Sequence, residues 1–244
     1  MNTSSVIKEK NPAGELQKAN DVIGQFITSC SHSMRGPLKS IYGLVNLIRV
    51  TPREDKNSDV FLDLITQVTD KMEHQLDEIE HFLENTRRDV ANHEVINFNE
   101  IINNLLVRNK HEIMAHGILI SFDVMSEGEF KGDRQRIALC VKNLFENSLQ
   151  FRRVGEGVKT TIKIDVHVTP KLCTISVKDN GIGIPAEFHD QIFNLFFRAS
   201  TQSKGTGIGL YVVRETVQKM HGGVTVSSSP ERGSIFTITL PNCK

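Results

Sequence analysis

The chain has 244 residues, 39% of them hydrophobic and 24% charged, enough for two modest domains or for one compact domain with a long extension. Lys plus Arg equal Asp plus Glu at 29 each, with no long run of one sign, so neither a nucleic-acid surface nor a basic face for anionic lipid is expected. No apolar run reaches the roughly 18 to 20 residues that cross a bilayer, and the start MNTSSVIKEK lacks a signal peptide's apolar core.

From about Gly14 to Val50, the apolar positions Val22, Ile23, Phe26, Ile27, Cys30, Met34, Leu38, Ile41, Leu44, Val45 and Ile48 recur at threes and fours. That spacing predicts one long amphipathic helix. His32 and Pro37 are set into it. A lone histidine in such a segment is more often structural than chemical. The polar stretch TPREDKNSD interrupts the pattern, and Phe61, Leu64, Ile65, Val68, Met72, Leu76, Ile79, Phe82 and Leu83 resume it to about Asp89. A two-helix hairpin leaves each apolar stripe half covered, so a second copy is expected to complete a four-helix bundle on a two-fold axis. His32 lies at the flank of the stripe, where its ring should reach solvent. Pro37 lacks the N–H that would bond the Ser33 carbonyl one turn earlier.

Beyond Asn92 the texture changes. Strands are predicted at Val95–Phe98, Ile118–Val124, Thr160–Val168, Leu172–Val177, Val224–Ser228 and Ser234–Leu240, each rich in β-branched or aromatic residues. Helices are predicted at Asn99–Ala115, Asp133–Phe151 and Gly207–His221. The fold class is therefore α+β: an N-terminal helical hairpin over residues 1–91, then an α/β sandwich of a mostly antiparallel or mixed sheet with helices on one face over residues 92–244. The four cysteines, Cys30, Cys140, Cys173 and Cys243, form no CxxC pair and read as reduced thiols of a cytosolic protein.

Three clusters in the second half could carry chemistry. In VKNLFENSLQF, Asn143 and Asn147 stand four apart on one helix face. Two amide oxygens so placed suit a nucleotide-bound Mg²⁺, although a solvated pair explains them as well. In ISVKDNGIGIP, Asp179 ends a strand and can accept a hydrogen bond from an exocyclic amine, while Gly181 and Gly183 let backbone approach a flat ring. In KGTGIGL, Gly205, Gly207 and Gly209 open a helix whose free N–H groups suit phosphate. A dinucleotide-binding reading fails for want of a preceding first strand.

Taken in order, the histidine helix, NLFENS, DNGIGIP, IFNLFFR and GTGIGL resemble, over nearly the whole chain, the transmitter core of the sensor histidine kinases of two-component signalling. The resemblance implies a dimerisation and phosphoacceptor hairpin followed by a Bergerat-type ATP-binding domain. It also implies ATP and Mg²⁺ as ligands, a homodimer, a response-regulator receiver domain as partner, and a cytoplasmic site of action for this segment; a longer parent chain could be membrane-anchored. By the same resemblance His32 is the phosphoacceptor, Asn143 and Asn147 hold Mg²⁺, and Asp179 reads the adenine amine. Gly181 and Gly183 shape the base pocket, while Gly205, Gly207 and Gly209 hinge a lid over the phosphates. Phe193, Phe196 and Phe197 would pack the base of that lid, spanning Asn194 to Thr206, and Arg198 would offset charge on the γ-phosphate.

Three positions depart from the family pattern. Ser33 follows the histidine where an acidic residue or Asn is usual, Gly36 stands where a Thr or Asn orients water for dephosphorylation, and Gln150 replaces a phosphate-facing lysine. Loss of a positioned base typically costs about 10² to 10⁴ in rate, but a neutral imidazole keeps its attacking lone pair. Weak or partner-dependent autokinase activity and little phosphatase activity are expected. The alternative is a degenerate dimeric scaffold that binds ATP and transfers little phosphate.

Overall fold

The computed structural model describes residues 12–51, 57–87, 93–155, 157–199 and 206–242. By contact density the chain divides into two units, Met1–His74 and Gln75–Lys244.

In the first unit, helix α1 runs over Pro12–Val50 and continues through Pro37. Helix α2, Asn57–Arg87, starts there as well. Small hydroxyls satisfy carbonyls one turn back along α1: Thr28 Oγ1 donates to Gly24 O and Ser40 Oγ to Gly36 O. Half-buried positions on α1 fall at Met34, Pro37, Ile41, Leu44, Val45 and Ile48, and on α2 at Phe61, Ile65, Val68 and Met72. Their spacing is that of an amphipathic stripe, yet none of them is fully buried. Ile23, Ile27, Leu38 and Tyr42 on α1 are exposed, Ile27 by 59% and Tyr42 by 70%. No helix among the described residues is long and apolar enough to cross a membrane.

The second unit takes in the end of α2 and continues with strand β1, Glu94–Val95, and helices α3, Phe98–Arg108, and α4, Lys110–Ala115. Here the strand expected over Val95–Phe98 is cut short. Asn97 accepts from Glu100 N at 3.1 Å and caps α3, so Phe98 enters a helix instead of a strand. The helix expected over Asn99–Ala115 is two, broken at Asn109, whose Nδ2 folds back onto Leu105 O. Strands β2, Leu119–Ser126, and β3, Lys131–Gly132, precede helix α5, Arg134–Gln150, which Asp133 caps by accepting from Arg136 N. Then follow β4, Thr161–Val168, β5, Leu172–Asp179, helix α6, Gly209–Lys219, β6, Gly223–Ser229, and β7, Gly233–Pro241.

Five strands form a mixed sheet in the order β2-β4-β5-β7-β6, with β2 parallel to β4 and the remaining pairs antiparallel. The parallel pair requires a crossover, which α5 provides. Alternation along β4 buries Ile162, Ile164, Val166 and Val168 against Leu144, Phe145 and Val217 of the helices, and leaves Lys163 and His167 exposed on the other face. Burial pushes the Cys140 and Cys173 thiols up to about 12, so both stay protonated and act as small apolar residues. Helices thus cover one face, and the far end of α5 lies beside the end of β5, where the site is built.

Candidate nucleotide-binding site

Asp179 is the last residue of β5 and is only 8% exposed. Its Oδ1 accepts from Gly181 N at 2.8 Å and from Ser234 N at 3.2 Å, and its Oδ2 from Ser148 Oγ at 3.3 Å. Burial holds its pKa above the usual carboxylate range, against the pull of those three donors. All three donors are neutral. Each carboxylate oxygen has two lone pairs, so Oδ2 keeps acceptor capacity for one more donor.

The glycines around Asp179 are where they are because a Cβ has no room. At Gly181 it would sit 2.8 Å from Asp179 Oδ1 and against the Phe151 carbonyl. Gly183 takes φ +72°, with a Cβ position overlying the Ser229 carbonyl oxygen. The turn is tied to the end of α5 by Ile182 N donating to Phe151 O at 3.0 Å. On its other side, Asn180 Nδ2 donates to Lys159 O, its Oδ1 accepts from Thr161 N, and Arg153 Nε donates to Asn180 O at 3.1 Å.

One turn apart on α5, Asn143 and Asn147 are both half-buried. Asn143 Nδ2 donates to Leu139 O at 2.9 Å, which leaves Oδ1 turned outward toward Gly209, at the start of α6. The Asn147 amide nitrogen is buried and has no hydrogen-bond partner among the described residues. A buried donor in that condition is costly and calls for an acceptor from outside the chain. One free amide oxygen beside one orphaned donor fits a hydrated Mg²⁺ and a phosphate oxygen. Ile208 stands at the N-cap of α6 without a side-chain cap bond among the described residues, and the N-terminus of a helix favours an anion.

Of the segment predicted as a lid and the phenylalanines expected to pack its base, residues 193–199 and 206 are described. Phe193 is buried, edge-on to Phe236 at 6.4 Å, and Phe197 meets Phe188 at 5.7 Å. Phe196 adopts φ +64° and its N–H donates to Gly207 O at 3.0 Å; Gly207 itself takes φ +79°. Two positive-φ residues joined by one hydrogen bond therefore pinch the ends of the segment together. Arg198 is exposed. Gly205, and with it residues 200–205, lies outside the described residues. His32 is placed by its backbone on α1, and the expectation that its ring reaches solvent falls outside the described side chains. Ser148, Gly233 and Ser234 were not singled out from sequence. Gly233 takes φ +80° with a Cβ position overlying the Asp179 carbonyl oxygen, but ERGS reads locally as an ordinary turn. Nothing in it signals a partner 55 residues away.

Residues 132–244 match the family of histidine kinase-, DNA gyrase B- and HSP90-like ATPases. Among curated proteins, the methanogenesis regulatory histidine kinase FilI of Methanothrix harundinacea is 28% identical over 93% of this chain and 26% of its own length. The sensor protein kinase WalK of Staphylococcus aureus is 27% identical over 93% of this chain and 55% of its own length. The chain thus spans about a quarter to about half of the curated relatives it matches. Among solved structures, histidine kinase AdeS of Acinetobacter baumannii aligns with a TM-score of 0.67 at 21% identity, over 87% of this chain and 98% of that one. Histidine kinase ThkA, solved with the response regulator protein TrrA, aligns with a TM-score of 0.74 at 21% identity, over 99% of this chain and 68% of that one. The second half is a Bergerat-type ATPase fold, the class of ATP-binding domain that these proteins share. Over nearly its full length the chain is similar to sensor histidine kinases, a likeness that supports a histidine kinase transmitter core.

Proposed function

We propose that this chain is an ATP-dependent protein-histidine kinase core, with residues 1–91 the dimerisation and phosphoacceptor hairpin and residues 92–244 the catalytic ATP-binding domain. The observation that carries this reading is Asp179: a buried carboxylate with neutral donors only and an acceptor position left over, at the mouth of a glycine-lined turn. A carboxylate accepts from the exocyclic amine of adenine and repels the keto oxygen of guanine. Gly181 and Gly183 give the ring its flat approach. The N-terminus of α6, with Gly207 and Gly209, receives the phosphates.

Asn143 and Asn147 would hold Mg²⁺, which supplies charge neutralisation at the phosphates of the substrate. The neutral imidazole of His32 attacks the γ-phosphorus in line. An N–P bond forms, the bond from that phosphorus to the β–γ bridging oxygen breaks, ADP leaves with the electron pair, and the ring proton passes to water. Arg198 offsets charge on the transferring group. The phosphoryl group then passes to an aspartate of a response regulator, the kind of partner with which ThkA was solved. The exposed apolar residues of α1 support a homodimer, and the site of action of this segment is cytoplasmic.

Incubation with MgATP followed by mass measurement of the intact protein tests the reading. A gain of one phosphate, acid-labile and absent in His32→Gln, is expected; label that survives the substitution removes His32 from its role. A second reading, a dimeric ATP-binding switch with little phosphoryl transfer, is favoured by Ser33, Gly36 and Gln150 at positions where the family usually carries reactive or charged groups. ATP binding without any phosphohistidine would establish it.

A further inference from the structure

We propose that Ser148 is a positioning residue that holds Asp179 as an acceptor-only carboxylate, and so sets the site's preference for a 6-amino over a 6-keto purine. The proposal rests on Asp179 being the base-reading group.

Ser148 lies on α5 and is 2% exposed. Its hydroxyl carries one proton, and two acceptors are in range: Leu144 O at 3.2 Å and Asp179 Oδ2 at 3.3 Å. A serine inside a helix ordinarily returns its proton to the carbonyl four residues back. An ionised carboxylate is the stronger acceptor, because charge-assisted hydrogen bonds are roughly twice as strong as neutral ones. The hydroxyl is therefore a two-position rotor coupled to Asp179. It donates to Oδ2 when Asp179 is ionised and turns to Leu144 O when Asp179 is protonated.

That coupling bears on base choice. An ionised Asp179 only accepts and suits an amine, whereas a protonated one can donate and would tolerate a keto oxygen. The groups facing Asp179 from the neighbouring elements are neutral: Ser148 from α5, Gly181 from the following turn, Ser234 from β7, and Ile162 opposite it on β4. The cation on the adjoining residue is Arg153, whose Nε is on Asn180 O. Of the three donors, two are backbone N–H groups, which leaves Ser148 as the one that a side-chain substitution removes. The turn cannot drift away from it, since Ile182 N is bonded to Phe151 O at the end of the same helix.

The test uses the full chain, titrated with ATP and with GTP by calorimetry from about pH 5 to 8, in wild type, Ser148→Ala, Ser148→Thr and Asp179→Asn. Ser148→Ala should weaken ATP binding at neutral pH by roughly 3- to 10-fold, the loss of one hydrogen bond to the carboxylate. Its ATP-over-GTP ratio should collapse at a higher pH than in wild type, and Ser148→Thr should restore both. The carboxyl carbon resonance of Asp179 reads its titration without nucleotide and should move to higher pH in Ser148→Ala. Should Ser148→Ala not fold, Ser148→Cys, which keeps the volume with a weak donor, should give the same shift. A wild-type titration and ratio in the folded variant overturns the proposal. If Asp179→Asn binds ATP with unchanged preference, the base-reading role of Asp179 fails; if that variant is crippled while Ser148→Ala is unchanged, only the role of Ser148 falls.

Discussion

A Cβ on Gly209 would lie 2.9 Å from Asn143 Oδ1. The first residue of α6 and the outward amide oxygen of α5 are therefore held at a separation that only glycine permits. The helix end proposed to receive the phosphates and the oxygen proposed for Mg²⁺ are thereby brought to one place, although 66 residues (209 − 143) part them in sequence. Asn143 cannot yield freely, because its Nδ2 is engaged with Leu139 O.

Gly209→Ala should separate binding from stability. Alanine is the better helix former by about 1 kcal/mol, which offsets the local crowding, so the melting temperature should change little. Asn143 must rotate away, however, and MgATP affinity should fall by about tenfold, the equivalent of 1.4 kcal/mol. Calorimetric titration beside a thermal melt checks both; a variant that binds MgATP like wild type would show that the Asn143 oxygen does not meet the nucleotide complex.

Gly183→Ala and Gly233→Ala should instead damage the fold. Both positions have φ beyond +70°, and both would drive a methyl group onto a backbone carbonyl, of Ser229 and of Asp179 respectively. Strain and clash together should cost about 2 to 4 kcal/mol, or roughly 5 to 15 °C in Tm. Gly223→Ala is the control, since nothing lies within 4 Å of that Cβ, and it should stay within about 0.5 kcal/mol of wild type.

What could be read from sequence and what could not divides along the range of the interactions. The strand β4 was legible because its burial alternates residue by residue, and α5 because Asp133 is a local cap. Asp179, Gly181 and Gly183 were legible as one cluster because they share a turn. Val95–Phe98 misled because a β-branched run ends on an asparagine that caps the next helix, so tertiary context and not propensity decided the outcome. The bonds from Ser148 and Ser234 to Asp179 span 31 and 55 residues. No local pattern encodes such a pairing, and a serine in a helix or after a turn glycine has many commoner uses.

Asp179→Asn should stabilise the ligand-free protein while abolishing base recognition. The carboxyl is raised by burial, so between the ordinary carboxylate value and the raised one the folded state binds more protons than the unfolded chain. Stability then declines as pH rises through that window, and the full cost is present above it. Asparagine carries no charge, and its Oδ1 still accepts from Gly181 and Ser234. Its melting temperature at neutral pH should exceed that of wild type by a few degrees, with the difference closing toward acid pH, whereas ATP affinity should fall at least tenfold. Equal melting temperatures at neutral pH would mean that water reaches the carboxylate and removes the burial cost.

The apolar surface of the first unit predicts association through α1. Ile27 and Leu38 are eleven residues, about three turns, apart and so share a face; they are 59% and 55% exposed. Ile23 and Tyr42, each four residues beyond one of them, extend the same stripe. Each such side chain contributes about 1.5 to 3 kcal/mol when fully covered, and a two-fold axis doubles every contact. Replacing both by lysine removes that burial and sets charges against each other across the axis, yet lysine is a good helix former, so α1 itself should persist. Light scattering at micromolar concentration should find a dimer for wild type and a monomer for the Ile27→Lys, Leu38→Lys variant. ATP binding should survive, since Asp179, Asn143 and Asn147 all belong to the second unit, while phosphohistidine formation should become slower if transfer runs between subunits and unchanged if it runs within one. A wild-type monomer would remove α1 as a self-association surface.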